Sequence, residues 1–202
     1  MRRFAAAALG VAAVLLATPS CADPPPAPGT VVFDGQSLNN TPEEGLTFPV
    51  QVMRGRSEDW VNTAQNGLSW TRLAASADRR VFRHATEGHD TLVMNGGTSD
   101  IAEGDTGESL YAEEVAYAGA ARRAGFERVI ILTLPPSAFF TAPQDAEREA
   151  HNALLLEDPD GAFDAVVDVA SLVPLGHGFY LDGIHWSEAG ARKAAQAVRE
   201  VL

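Results

Sequence analysis

Cysteine is almost missing: Cys21 is the only one in 202 residues. No disulfide can form within the chain, and a thiolate metal cluster or a cysteine nucleophile is excluded. Lysine is as scarce, Lys193 being the single example, and the arginines are scattered rather than striped. With a formal net charge of -12, nucleic acid and anionic membrane surfaces are excluded as main partners. The histidines and carboxylates show no zinc-site spacing, so no metal is implied, and nothing points to another cofactor. Glycine and proline are present at ordinary levels, which argues against a collagenous or disordered chain. Internal repeats are absent, and so is any sign of a second domain.

Only one long hydrophobic run occurs, Phe4 to Ala17 behind Arg2-Arg3. It is too short to span a bilayer comfortably and reads as an export signal. Small residues at Ser20 and Ala22 place cleavage before Asp23, making residues 1–22 a signal peptide. The alternative is lipidation of Cys21, although Thr18-Pro19-Ser20 is a poor lipobox. The expectation is a secreted or extracytoplasmic protein, touching a membrane only if Cys21 is lipidated. Residues 23–29, rich in proline, form a stiff tether. Residues 30–202 then make one domain, expected to be a monomer, with enough apolar content for a full core.

Within that domain, apolar strands alternate with helices. Val31 to Phe33 runs into Asp34-Gly35, and Trp60 to Ala64 precedes a turn at Gly67. Asp90 to Asn95 ends in Gly96-Gly97, and Arg128 to Thr133 is broken by Pro135-Pro136. Phe163 to Val169 is the last strand candidate. Helices are expected over Trp70 to Arg80, Gln144 to Leu155 and Gly107 to Ala124, the last with Asp105 and Glu108 as a capping box. Ser187 caps a final helix through Leu202, and Asn39 to Pro49 reads as a loop. Alternation of this kind implies a parallel sheet covered on both faces, a flavodoxin-like three-layer α/β/α fold.

In such sheets the turns after strands share one edge, where ligands and chemistry collect. Ser37 sits just past the first strand. An exposed serine alone is more often a cap or turn residue. What changes the reading is Asp182-Gly183-Ile184-His185, just before the last helix. A serine nucleophile needs a base, and that base needs an acceptor on its other ring nitrogen. Asp182 and His185, three apart around a glycine, can supply both locally. His84, His151 and His177 lack a matching aspartate, and His89-Asp90 leads into a strand rather than out of one.

These segments resemble the blocks of the GDSL, or SGNH, hydrolase family, in order over nearly the whole domain. Gly35-Gln36-Ser37-Leu38 is similar to the first block, Gly67 to the glycine of the second, Gly97-Thr98-Ser99-Asp100 to the third, and Asp182 to His185 to the last. The last block, continued by Trp186-Ser187-Glu188-Ala189-Gly190, is the most specific. The resemblance implies an SGNH hydrolase fold and a serine esterase with Ser37, Asp182 and His185 as triad. It places Ser37, Gly67 and Ser99 at the oxyanion hole. Gln36 replaces the usual aspartate, as in the Gly-Gln-Ser of sialate O-acetylesterase-like relatives, and the resemblance gives it no catalytic part. Ser99 replaces an asparagine whose side chain is an oxyanion donor, which points to a slow enzyme or a hydroxyl substitute. The Gly-x-Ser-x-Gly signature of the ordinary α/β hydrolases is absent.

The expected substrates are short acyl or O-acetyl esters, on carbohydrate or small alcohols, because the chain leaves no room for a lid domain. Two alternatives stand beside this: a lipid-acyl hydrolase or thioesterase of the same family, and a non-catalytic surface-binding homologue, motivated by Ser99.

Overall fold

The computed structural model describes residues 29–41, 46–86 and 89–202. The proposed signal peptide, Cys21 and all of the tether except Gly29 lie outside the described residues. Five strands form one sheet: β1 (Val31–Gly35), β2 (Trp60–Asn62), β3 (Thr91–Asn95), β4 (Arg128–Leu132) and β5 (Ala165–Val167). All pairings are parallel, in the order β2-β1-β3-β4-β5. This is the flavodoxin-like order, and its topological switch point lies between β1 and β3.

Strand side chains alternate between two apolar cores. Val32, Leu92, Met94, Val129 and Ile131 face one core; Val31, Phe33, Val93, Ile130 and Leu132 face the other. Burial on both faces is why these strands read as nearly unbroken apolar runs. Outside the sheet, the chain forms α1 (Phe48–Met53), α2 (Trp70–Ala74), α3 (Ala77–Arg80), α4 (Thr98–Glu103) and α5 (Gly107–Ala124). After β4 follow α6 (Ala142–Glu157), α7 (Val169–Leu172) and α8 (Glu188–Val201). Helices α2, α3 and α5 cover the first core, while α1, α7 and α8 cover the second.

Several local expectations need correction. The helix expected from Trp70 to Arg80 is two short helices, α2 and α3, with a break at Ala75-Ser76. Helix α5 has the expected span, but Thr106, not Asp105, caps it: the Thr106 side chain accepts from the Ser109 N–H. Asp105 instead donates its backbone N–H to Asp100. The segment read as a loop from Asn39 to Pro49 carries regular structure at both ends, a 3-10 turn over Ser37–Asn40 and α1 starting at Phe48. At the chain's other end, Ser187 caps α8 as expected, accepting from Gly190 N–H at 3.3 Å.

Candidate active site

Ser37 is set by the end of β1. Gly35 has φ +133°, and a Cβ there would lie 1.9 Å from the Asn95 carbonyl oxygen of β3. Glycine lets the two strand ends close up, and Gln36 N–H then bonds that same carbonyl at 3.0 Å. The chain turns immediately into the 3-10 turn whose first residue is Ser37. At the first position of a helical turn the backbone N–H has no partner within the turn. The Ser37 N–H donates no hydrogen bond among the described residues.

His185 arrives from the opposite end of the sequence. Residues Tyr180 to Trp186 double back on themselves, with Leu181 N–H bonding His185 O and Ser187 N–H bonding Phe179 O, each at 2.8 Å. Trp186 is fully buried against Phe48 and anchors this turn in the second core. Gly183 adopts φ +90° over Ala138, whose N–H bonds Gly183 O at 2.9 Å. A Cβ at Gly183 would sit 2.7 Å from that of Ala138.

These anchors place His185 Nε2 at 3.0 Å from Ser37 Oγ, and His185 Nδ1 at 2.7 Å from Asp182 Oδ2. The other oxygen, Asp182 Oδ1, accepts from the N–H groups of Ile184 and His185. The His185 ring, then the two backbone N–H groups, hold the Asp182 carboxyl well below the usual carboxylate range. The cluster is open: the side chains of His185 and Asp182 are 31% and 52% exposed. A serine hydroxyl hydrogen-bonded to an imidazole that is itself fixed by a carboxylate can be deprotonated as it attacks a carbonyl.

Gly67 is brought to the same edge by asparagines. Asn40, in the Ser37 turn, donates to Asn66 at 2.6 Å and accepts from Asn62 at 2.8 Å. Gln65 N–H also bonds Gly35 O at 2.9 Å. Gly67 has φ +68°, is exposed, and its N–H makes no hydrogen bond among the described residues. Ser99 lies in the first turn of α4. Its N–H is engaged by Gln36 Oε1 at 3.2 Å, while its hydroxyl makes no hydrogen bond among the described residues.

The structural part of two side chains beside Ser37 was missed by sequence reasoning. Gln36 is 3% exposed and ties the turn after β1 to the segment ahead of α2 and to the first turn of α4. Besides accepting from Ser99, it donates to Leu68 O and to Asp100 Oδ2, both at 2.7 Å. Asp100 is fully buried and also accepts from the Trp70 N–H at 2.7 Å. Burial pushes its carboxyl up to about 6, against the pull of those two donors. The available signal was a chemical one: a neutral amide replaces the block's acid while an acid is retained at 100. The other histidines stay away from Ser37. His89 pairs with Glu127 ahead of β3, and buried His151 meets buried Glu114 at 2.7 Å. Among the described residues, no group of three or more His, Cys, Asp or Glu side chains is placed to hold a metal ion.

No protein-family sequence model matches the chain, and no curated protein matches it in sequence. Solved structures match its fold. A lipolytic protein of the G-D-S-L family from Veillonella parvula superposes with a TM-score of 0.76 at 17% identity, covering 86% of this chain and 97% of that one. Axe2, an acetylxylan esterase from Geobacillus stearothermophilus, does so at 0.69 and 13% identity, over 85% and 93%. The α/β hydrolase LAE5 from the metagenome of Lake Arreo, Spain, gives 0.69 and 16%, over 84% and 93%. The five-stranded parallel sheet and its flanking helices are those of the GDSL/SGNH hydrolase fold.

Proposed function

We propose that the chain is a serine esterase hydrolysing carboxylic esters. The observation that carries this is the line Asp182–His185–Ser37, at 2.7 and 3.0 Å, at the edge of the sheet where such chemistry collects. Ser37 Oγ attacks the acyl carbon while its proton passes to His185 Nε2. Negative charge forms on the former carbonyl oxygen, and the unpaired N–H groups of Ser37 and Gly67, with the Ser99 hydroxyl, are the donors proposed to hold it. The His185 imidazolium, stabilised by Asp182, gives its proton to the leaving alcohol. Water, deprotonated by His185, then attacks the acyl-enzyme, and His185 returns that proton to Ser37 Oγ as the acyl–oxygen bond breaks.

The open site favours short acyl groups on an alcohol that is itself large or soluble. A sugar ring carrying an O-acetyl group meets that description, and the fold likeness to an acetylxylan esterase supports it. An export signal over residues 1–22 would put the enzyme outside the cytoplasm, anchored only if Cys21 carries lipid. The test is hydrolysis of a short-chain chromogenic ester by purified protein and by Ser37→Ala. The expected result is turnover by the wild type and a loss of ~10³-fold or more in the variant. Equal slow rates in both would sink the esterase reading.

A further inference from the structure

Hydrogen-bond polarity fixes which groups can occupy the junction beneath the oxyanion donors. Both donors that reach Asp100, Trp70 N–H and Gln36 Nε2, need an acceptor, one on each carboxyl oxygen. An asparagine at 100 would turn its own amide hydrogens toward one of them. Residue 36 is constrained in the opposite sense: it must accept from Ser99 and donate to both Leu68 O and Asp100. A neutral carboxamide of glutamine's length does all three. Aspartate would be shorter, would have no donor when ionised, and would set a second carboxylate beside a buried one.

The surroundings make that second charge costly. Glu114 of α5 is the ionisable group that faces Asp100 and adds to its raised titration, and Glu114 is itself paired with His151 of α6. Among the described residues, the turn after β1 and helix α2 contribute only the Gln36 amide and the Trp70 N–H to Asp100. No cationic side chain bonds Asp100 among the described residues.

We propose that Gln36 is a positioning residue of the oxyanion site: by tying residues 68, 99 and 100 together it fixes the Gly67 turn and Ser99 relative to Ser37. This rests on the serine-esterase reading. Gln36 acts through the loops it joins and touches no reacting atom.

Gln36→Glu tests it. The variant keeps the length and the acceptor for Ser99 N–H, but places a carboxyl against Asp100. Two such groups share one proton and resist ionising together. While the shared proton is present, it restores the bond to Asp100, and only the bond to Leu68 O is lost. Once it is lost, the charges repel and the loops separate. The wild-type kcat is expected to rise with pH to a plateau. The variant's is expected to peak and then fall by ~10-fold or more towards pH 9, with KM within about threefold, as for donors used in the transition state. In the double variant Gln36→Glu/Asp100→Asn the polarity is reversed. The introduced asparagine accepts from Trp70 N–H and donates to the introduced glutamate, so the alkaline fall is expected to vanish, at a plateau below that of the wild type because the Leu68 O bond is still missing. A Gln36→Glu profile parallel to the wild type overturns the proposal, as does a double variant that keeps the alkaline fall.

Gln36→Met keeps the volume without polar atoms and serves if the glutamate variant does not fold. Its kcat is expected to drop ~10²-fold with KM unchanged; a raised KM with kcat kept also overturns the proposal. Ser37→Ala, run alongside, separates the two levels. If it matches the wild type, the serine reading fails. If it is inert while Gln36→Glu parallels the wild type, only the positioning role falls.

Discussion

The Tyr117 hydroxyl donates to Asp34 at 2.5 Å, tying helix α5 to the strand that delivers Ser37. Arg80 and Thr63 reach the same buried carboxylate. Burial pushes the Asp34 carboxyl up, and Arg80 and Tyr117 pull it back down. The Tyr117 phenol is in turn held far above its ordinary range, by burial first and then by the Asp34 charge. Removing the cation would strand a buried carboxylate two residues from Gln36. Arg80→Met is therefore expected to cost ~3–5 kcal/mol in urea unfolding. Tyr117→Phe, which keeps the ring against Trp70, should cost ~1.5–3 kcal/mol. A loss below ~1 kcal/mol for Arg80→Met would show that the pair does not hold β1 in place.

The acid side of the pH profile should belong to one group. Asp182 is held well below the carboxylate range, so it stays ionised wherever His185 gains a proton. Protonated His185 cannot accept from Ser37, and kcat/KM should fall with unit slope as pH drops. Asp182→Asn should be severe for a specific reason. The asparagine Oδ1 would keep the Ile184 and His185 N–H groups, leaving its amide nitrogen against His185 Nδ1. That forces the proton onto Nε2, facing Ser37, and removes the base. A loss of ~10³-fold or more is expected, measured as kcat on a chromogenic ester. A flat profile from acid to alkaline pH would rule out a histidine base.

Ser99 offers a gain-of-function test. Its N–H is already used by Gln36, so only the hydroxyl is free to act. Ser99→Asn supplies a longer carboxamide donor from the same backbone position. Turnover is expected to rise, by up to ~10²-fold, with little change in KM. An unchanged or lower rate would mean that the hydroxyl, or the two backbone donors alone, suffices.

Gly35 should tolerate no side chain. Gly35→Ala would drive a methyl into the Asn95 carbonyl while holding φ at +133°. Backbone strain of ~1–3 kcal/mol adds to the clash, so the melting temperature should drop, and activity with it. Gly104→Ala is the control: it also has positive φ, but nothing lies within 4 Å of its added Cβ. A Gly35 variant no less stable than this control would contradict the close approach of β1 and β3.

Much of this architecture was legible because burial on both faces writes strands as apolar runs. Val31 to Phe33, Thr91 to Asn95 and Arg128 to Leu132 stand out for that reason, and all align in parallel. The Asp182–His185 pair was legible because both partners lie within one turn. What stayed hidden depended on contacts remote in sequence. The α2/α3 break keeps a helical composition throughout, and Thr106 won the cap of α5 over Asp105 by one residue. The Asn40–Asn66 and Gln36–Asp100 bonds join segments 26 and 64 residues apart. Polar pairing at such range leaves no periodicity to read.

The separation of 148 residues between Ser37 and His185 has a consequence for how the molecule matures. Chains emerge and fold from the N-terminus, so the first strand and its serine exist long before the turn that carries the histidine. On the serine-esterase reading, the hydroxyl is therefore born unarmed and gains its base only when the last turn and α8 dock. A chain cut short before residue 182 would carry the hydroxyl and neither of its helpers. On that reading, catalytic competence is a report that the final segment has reached its place.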